Sequence, residues 1–379
     1  MWQVLMHLQL LVIVALLCVL LGFKWEWVQE HINSTLVVTL VATVLGALIV
    51  KLLIEAVTYM RFYTRPYLTF EADFTQVFHL SKKVETLEYS VGEKGWKELG
   101  TQNIVFGGNR GKLLLRGKSR FGTNKATILF AKNIEVICTG DIRTLVDYEH
   151  YDKADTSKSR FERLFQNCTQ LVVAPELPIK NLAVGCYYLM FAGCTSLKTA
   201  PELPADNMAD DCYSGMFMGC TSLEYAPEMP AENLAKKCYS GMFLNCTSIE
   251  FAPGLPAKKL ADECYSCMFY GCASLKYTPE LSADCLSVFC YSQMFSNCTS
   301  LITAPVLPAE NLIEGCYYSM FFGCNSLSII TMMAIDIDAE DCLENWLEGT
   351  SSKGTFYKNK CADWRNDLAV PQGWEVKQI

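Results

Sequence analysis

Apolar residues are laid out along the chain in three successive textures, and each predicts a different kind of element. Residues 4–22 are apolar apart from His7 and Gln9, and the run from Thr35 to Val50 continues through Leu52, Leu53 and Ile54 with only Lys51 and Glu55 charged. Either run, wound as a helix, can cross about 30 Å of hydrocarbon, which predicts a transmembrane hairpin in residues 1–60 with helices over about 2–23 and 35–58. Between 66 and 140 the runs YLTFEA, LEYSV, KLLLRG, ATILF and NIEVIC are short and punctuated by Gly, Asn and Lys. They predict a small antiparallel β-sandwich or barrel. Residues 141–159 then read as a linker.

The third texture is a repeat. Shifting the sequence by 26 residues aligns Cys186, Cys212, Cys238, Cys264, Cys290, Cys316 and Cys342 on one register, and Cys168, Cys194, Cys220, Cys246, Cys272, Cys298 and Cys324 on another. Seven units without an insertion fill 160–341, and a fixed period of this length specifies a solenoid. Within a unit, Leu234, Cys238, Met242 and Phe243 fall on one stripe of a short helix. The slot of Gly219, filled elsewhere by Gly193, Gly271, Gly323, Asn167, Asn245 and Asn297, suits a left-handed C-cap. After it Leu223, Ala226 and Met229 recur as apolar positions, and Pro227 and Pro230 keep helix from resuming. Strands stack about 4.8 Å apart and helices about 8–10 Å apart, so a helix-plus-strand unit predicts an α/β horseshoe with its strands on the concave side.

The phrase MFxGCTSL followed by APELPA resembles the BspA-like leucine-rich repeat, and the ending GTFY…P.GW resembles the cap of the gut-bacterial members. The resemblance covers about 67–379, with 342–379 as the cap. It implies an α/β leucine-rich-repeat solenoid preceded by a small all-β domain, and a binding or adhesive role.

Charge and cysteine content refine the expectation. Lys24 is the basic residue of the connector, whereas Lys51, Arg61 and Arg65 cluster at the far end of the second run; this places both termini in the cytoplasm of a bacterial inner-membrane protein, with export of the repeats to the cell surface as the alternative. Fourteen of the nineteen cysteines are register residues, which read as small buried hydrophobes. The repeats hold nine Lys and Arg against twenty Asp and Glu, which argues against nucleic acid there. From 108 to 133 the sign reverses, with Arg110, Lys112, Arg116, Lys118, Arg120, Lys125 and Lys132 and no acid. These are either solvated strand edges or a face for anionic lipid or a phosphate-bearing ligand.

Candidate chemistry is sparse. The four histidines, at 7, 31, 79 and 150, all lie outside the repeats, and no Cys and His dyad, metal set or cofactor motif is found; GGNRGK lacks the Walker A spacing. Cys264 and Cys267 have redox spacing, but Cys264 is a register residue. Small residues Ala15, Cys18 and Gly22 on the first apolar run, and Thr39, Thr43 and Gly46 on the second, suit close helix packing within a hairpin or between chains as a homo-oligomer. The variable column Val173, Thr199, Tyr225, Phe251, Tyr277, Thr303 and Ile329 is aromatic at its centre. Tyr225, Phe251 and Tyr277 are either a binding strip or packing residues, and Glu202, Glu228 and Glu280 form an acidic rim beside them. The expected function is a non-enzymatic, membrane-anchored recognition or scaffold protein that binds a protein or glycan. A cytoplasmic sensor whose hairpins oligomerise to perturb the membrane, and an exported adhesin, are the alternatives.

Overall fold

The computed structural model describes residues 65–92, 94–365 and 369–379. Residues 66–379 form one compact unit. Its first part contains β1 (Leu68–Glu71), β2 (Gln76–Leu80), β3 (Leu87–Val91), β4 (Lys97–Glu98), β5 (Ile104–Phe106), β6 (Leu113–Gly117), β7 (Ile128–Phe130) and β8 (Val136–Thr139). Alternation of buried and partly exposed positions, as in Gln76–Leu80, turns one side of each strand inward. A three-stranded sheet, β5-β2-β7, packs through Phe78 and Phe130 on Phe70 of the larger sheet, with ring centroids 5.6 and 6.0 Å apart.

That larger sheet, ordered β4-β3-β6-β1-β8-β9, ends on a strand of the first repeat, β9 (Leu171–Val173). β8 and β9 pair in parallel, Ile137 opposite Val173. The stack of repeats therefore continues a sheet begun by the β module. At the other end β10 (Thr303–Leu307), β11 (Ile329–Met332), β12 (Thr355–Lys358) and β13 (Glu375–Gln378) form a parallel sheet. Trp346, Phe356 and Trp364 close the last layer through edge contacts, while Trp346 Nε1 donates to the Ala369 carbonyl and Trp364 Nε1 to that of Ala334.

The expected helix of each repeat does not form. Among the described residues there is no α-helix, only short 3-10 turns at Gly108–Arg110, Ile142–Leu145 and Tyr151–Lys153. In the turn ribbon beginning at Asp211, the N–H groups of Asp211, Tyr213, Gly215, Phe217 and Gly219 donate to carbonyls of the next coil, at Lys236, Cys238, Ser240, Met242 and Leu244. The intervening N–H groups of Cys212, Ser214, Met216, Met218 and Cys220 bond three residues back. Half of the donors thus leave the segment sideways, which an α-helix forbids. Asp211, Gly215 and Gly219 have φ of 55°, 61° and 71°, so a left-handed residue returns every fourth position and would break a helix each time. The Gly219 slot is left-handed, as its residue types require, but it is one of three such slots in a ribbon of tight turns.

The horseshoe is corrected with the helix. Along the turn ribbon, Phe165, Phe191, Phe217, Phe243, Phe269, Phe295 and Phe321 stack with centroids 5.3–5.8 Å apart. A tyrosine column from Tyr187 to Tyr317 stacks beside it at 5.7–6.1 Å. These spacings approach that of strands and fall short of that of helices, so the difference that was to bend the stack is missing. The repeats are a β-solenoid.

The proposed transmembrane helices, with Ala15, Cys18, Gly22, Thr39, Thr43 and Gly46, lie outside the described residues. Among the described residues no helix is long and apolar enough to cross a membrane, so the expectation of an integral membrane protein finds no spanning element in them.

Two substitutions should separate packing from hydrogen bonding. Phe243→Ala, which empties a fully buried slot between Phe217 and Phe269, should cost about 3–5 kcal/mol in denaturant unfolding. Tyr213→Phe should instead stabilise by about 1 kcal/mol or more, because the Tyr213 hydroxyl is buried without a hydrogen-bond partner and its desolvation is uncompensated.

Candidate interaction surface

Parallel pairing aligns one residue of each coil into an exposed rank. Ile137 pairs with Val173, Thr199 with Tyr225, Phe251 with Tyr277, Thr303 with Ile329, and Ile329 with Thr355. At its centre Tyr225, Phe251 and Tyr277 are 63%, 51% and 57% exposed. Their neighbours Leu223, Ile249 and Leu275 are fully buried, so the variable column faces solvent and the constant one fills the core. Phe251 and Tyr277 stack at 4.6 Å with their planes 6° apart. Ile302 and Val306, exposed at 58% and 54%, extend the apolar surface toward the C-terminal cap.

The surroundings are acidic. Glu250 is paired with Lys276 at 3.0 Å, whereas Glu202, Glu224, Glu228 and Glu280 are exposed and form no ion pair among the described residues. The strip therefore combines a rigid apolar centre with unmatched carboxylates.

The basic stretch of the β module is dispersed and largely matched. Lys112 pairs with Glu71 at 2.7 Å and Lys118 with Glu149 at 2.8 Å. Lys125 lies 3.9 Å from Glu162, and Lys132 Nζ donates to the Thr75 carbonyl. Arg116 bonds Glu88 at 2.7 Å and has the rings of Trp96 and Tyr148 about it, 4.0 and 4.1 Å from its guanidinium carbon. Arg110 and Arg120 form no ion pair among the described residues. The acids come from distant stretches of the chain, which is why residue-to-residue proximity in sequence suggested a stronger field than the fold presents.

The register cysteines are free and buried. Cys194, Cys220, Cys246, Cys272, Cys298 and Cys324 each donate Sγ–H to a phenylalanine carbonyl of the preceding coil at 3.0–3.2 Å. Burial pushes the thiols of Cys168, Cys212, Cys220, Cys272, Cys290, Cys316 and Cys324 from the ordinary 9.0 up to about 12. Such thiols carry almost no thiolate at neutral pH and make poor nucleophiles. Cys267, opposite Cys264 in the redox-like spacing, is half-buried in a left-handed slot and donates to Gln293 Oε1 at 3.2 Å. One group with metal-ligand potential exists among the described residues, Asp147, Glu149 and His150. It is accounted for by pairing of Glu149 with Lys118 and of His150 with Asp147.

No protein-family model, curated protein or solved structure matches the chain.

The thiols make a pH prediction. Their folded pKa lies above the unfolded value, so their contribution to stability is complete well below pH 9 and is lost as pH rises through 9 toward about 12. Urea midpoints should be nearly level from pH 7 to about 7.5 and then fall, with more than one proton released per unfolding event because many thiols titrate together. Thiol labelling of the native protein should be slow at every register position and fast in denaturant.

Proposed function

We propose that the protein is a recognition module whose solenoid presents the Tyr225, Phe251 and Tyr277 strip to a protein partner. The observation that carries this reading is the exposure of three large aromatic side chains in successive coils of an otherwise well-buried frame. A contiguous exposed apolar strip rimmed by polar residues marks an interaction site more often than scattered single residues do. Aromatic anchors on a rigid element supply contact area at little entropic cost. The resemblance of the MFxGCTSL phrase to repeats of binding proteins agrees with it.

The partner's chemistry follows from two features of the strip. A sugar ring packs on an open aromatic face, and the stack of Phe251 on Tyr277 at 4.6 Å closes one face of each of these rings, which favours edge and side-chain contacts with a protein surface over a glycan. The unmatched Glu202, Glu224, Glu228 and Glu280 favour apolar side chains flanked by Lys or Arg. Exposed strands also favour aromatic and β-branched residues for cross-strand packing alone, and the test must separate that role from binding.

Panning the full chain against a displayed peptide library and a glycan array does so. Peptides that pair aromatic or aliphatic residues with flanking Lys or Arg should be enriched. The triple variant Tyr225→Ser, Phe251→Ser and Tyr277→Ser should lose them while its unfolding free energy falls by about 1 kcal/mol or less per site, the loss of cross-strand packing alone. Enrichment that survives the triple variant, or binding to glycans alone, would overturn the proposal.

A further inference from the structure

A second surface, separate from the aromatic strip, is assembled where the β module meets the first coil. The loop after β2, residues 81–86, lies beside the loop after β6, residues 118–127: Ser81 N donates to the Thr127 carbonyl, Thr127 N to Ser81 Oγ, and Lys118 N to the Thr86 carbonyl. The start of the first repeat is strapped to the same loop. Arg160 N donates to the Phe121 carbonyl, Thr123 N to the Arg160 carbonyl, and Ser159 Oγ to the Arg120 carbonyl. Gly122 makes this approach possible. It has φ of 69°, and a Cβ there would strike the Arg160 backbone. The loop is thus fixed by its backbone, and its side chains project from a defined frame.

Two clefts flank that loop. One, of about 420 Å³, is lined by Lys82, Lys83, Lys118, Arg120 and Thr123 among others; the second, of about 410 Å³, by Lys158, Arg160 and Val184. Phe121 and Asn124 line both, and Phe121 is 60% exposed between them. Both are open depressions of the surface, wide enough for a small ligand that stays partly in contact with solvent. Lys83 and Lys118 are engaged by Glu98 and Glu149, whereas Lys82, Arg120, Lys158 and Arg160 have no ion pair among the described residues. Glu85 lines the first cleft. Asp155 is bonded mainly by Ser157, and Arg120 and Lys158 lie close enough to lower its pKa further. The cations outnumber these acids. Thr123 is 1% exposed, and its hydroxyl is buried without a hydrogen-bond partner.

We propose that this double cleft binds a small phosphate monoester bearing an aromatic group, with Arg120 and Arg160 on the phosphate and Phe121 against the aromatic part. A guanidinium group matches a pair of phosphate oxygens, and the exposed ring of Phe121 offers a stacking surface between Arg120 in one cleft and Arg160 in the other. A nucleoside monophosphate is the simplest soluble ligand with both parts.

The full chain should be titrated calorimetrically with adenosine monophosphate, with inorganic phosphate and with adenosine, and sedimented with vesicles containing phosphatidic acid. The proposal expects adenosine monophosphate to bind more tightly than either fragment and to weaken as salt is raised. Arg120→Gln and Arg160→Gln should each reduce its affinity about tenfold or more. Phe121→Ala should weaken adenosine monophosphate but leave inorganic phosphate unchanged, with melting temperatures equal to that of the parent. Binding of inorganic phosphate as tight as that of the nucleotide would overturn the aromatic half of the proposal. Binding unaffected by both arginine substitutions would overturn it entirely, as would vesicle binding without nucleotide binding, which would assign the phosphate to a lipid surface. Should Arg160→Gln fail to fold, Lys158→Gln, on an exposed side chain of the same cleft, reads the same charge.

Discussion

The sideways hydrogen bond from one coil to the next is the constraint on which the rest of the structure depends. Because alternate N–H groups of each turn ribbon are committed to carbonyls of the following coil, coils cannot separate to helical distance. A given side chain then meets its own counterpart at 5.3–6.1 Å. Only residues that pack well on copies of themselves satisfy that geometry. Phenylalanine and tyrosine do so as parallel rings, and cysteine does so as a small side chain whose S–H reaches a carbonyl of the preceding coil. The repetition of the sequence is a consequence of this stacking. Each coil must offer what its neighbour offers, because each is the other's floor.

The same constraint decides where variation is tolerated. Leu223, Ile249 and Leu275 are fully buried and stay aliphatic, while the residues two positions on are exposed and run from Thr199 through Tyr225, Phe251 and Tyr277 to Thr303. An exposed rank at strand spacing is free of core demands, so its aromatic centre needs a reason other than filling space. Cross-strand packing is one such reason and recognition another. The unmatched glutamates favour the second, since residues retained for packing alone would be served equally well by a neutral surround.

Much of this was legible in the sequence, and the failures have physical causes. The 26-residue register, the burial of the cysteines and the solenoid follow from counting. The helix did not survive, because inward positions such as Cys212, Met216 and Cys220 recur every four residues, which lies close to the helical 3.6 and equally serves a ribbon of four-residue turns. The discriminating signal was Gly215 and Gly241, four positions before Gly219 and Asn245. Glycine there has no place in a helix interior and is explained at once by a left-handed slot. The basic stretch was overrated for a different reason. Glu71, Glu88 and Glu149, which neutralise it, sit on other segments, and no local reading counts them. Arg160 was visible as the residue replacing the first register cysteine, but its place beside Phe121 depends on how the first coil docks on the β module.

A stack held by sideways hydrogen bonds has two open ends, and each must be closed or it will pair with another chain. At the start, the first repeat strand is absorbed into a sheet that ends on β4, whose two residues are Lys97 and Glu98. At the finish, the last strand β13 places Glu375 and Lys377 on the edge, paired with each other at 3.1 Å, and three tryptophans bond backbone carbonyls around the final layer. Charge and aromatic cover thus stop what the repeats alone would continue. Because the terminal layers differ from the repeats while the interior coils are alike, the length of the exposed rank is set by the number of coils between the caps. A unit could be added or removed with both caps intact, and the aromatic strip would lengthen or shorten by one strand spacing of about 4.8 Å.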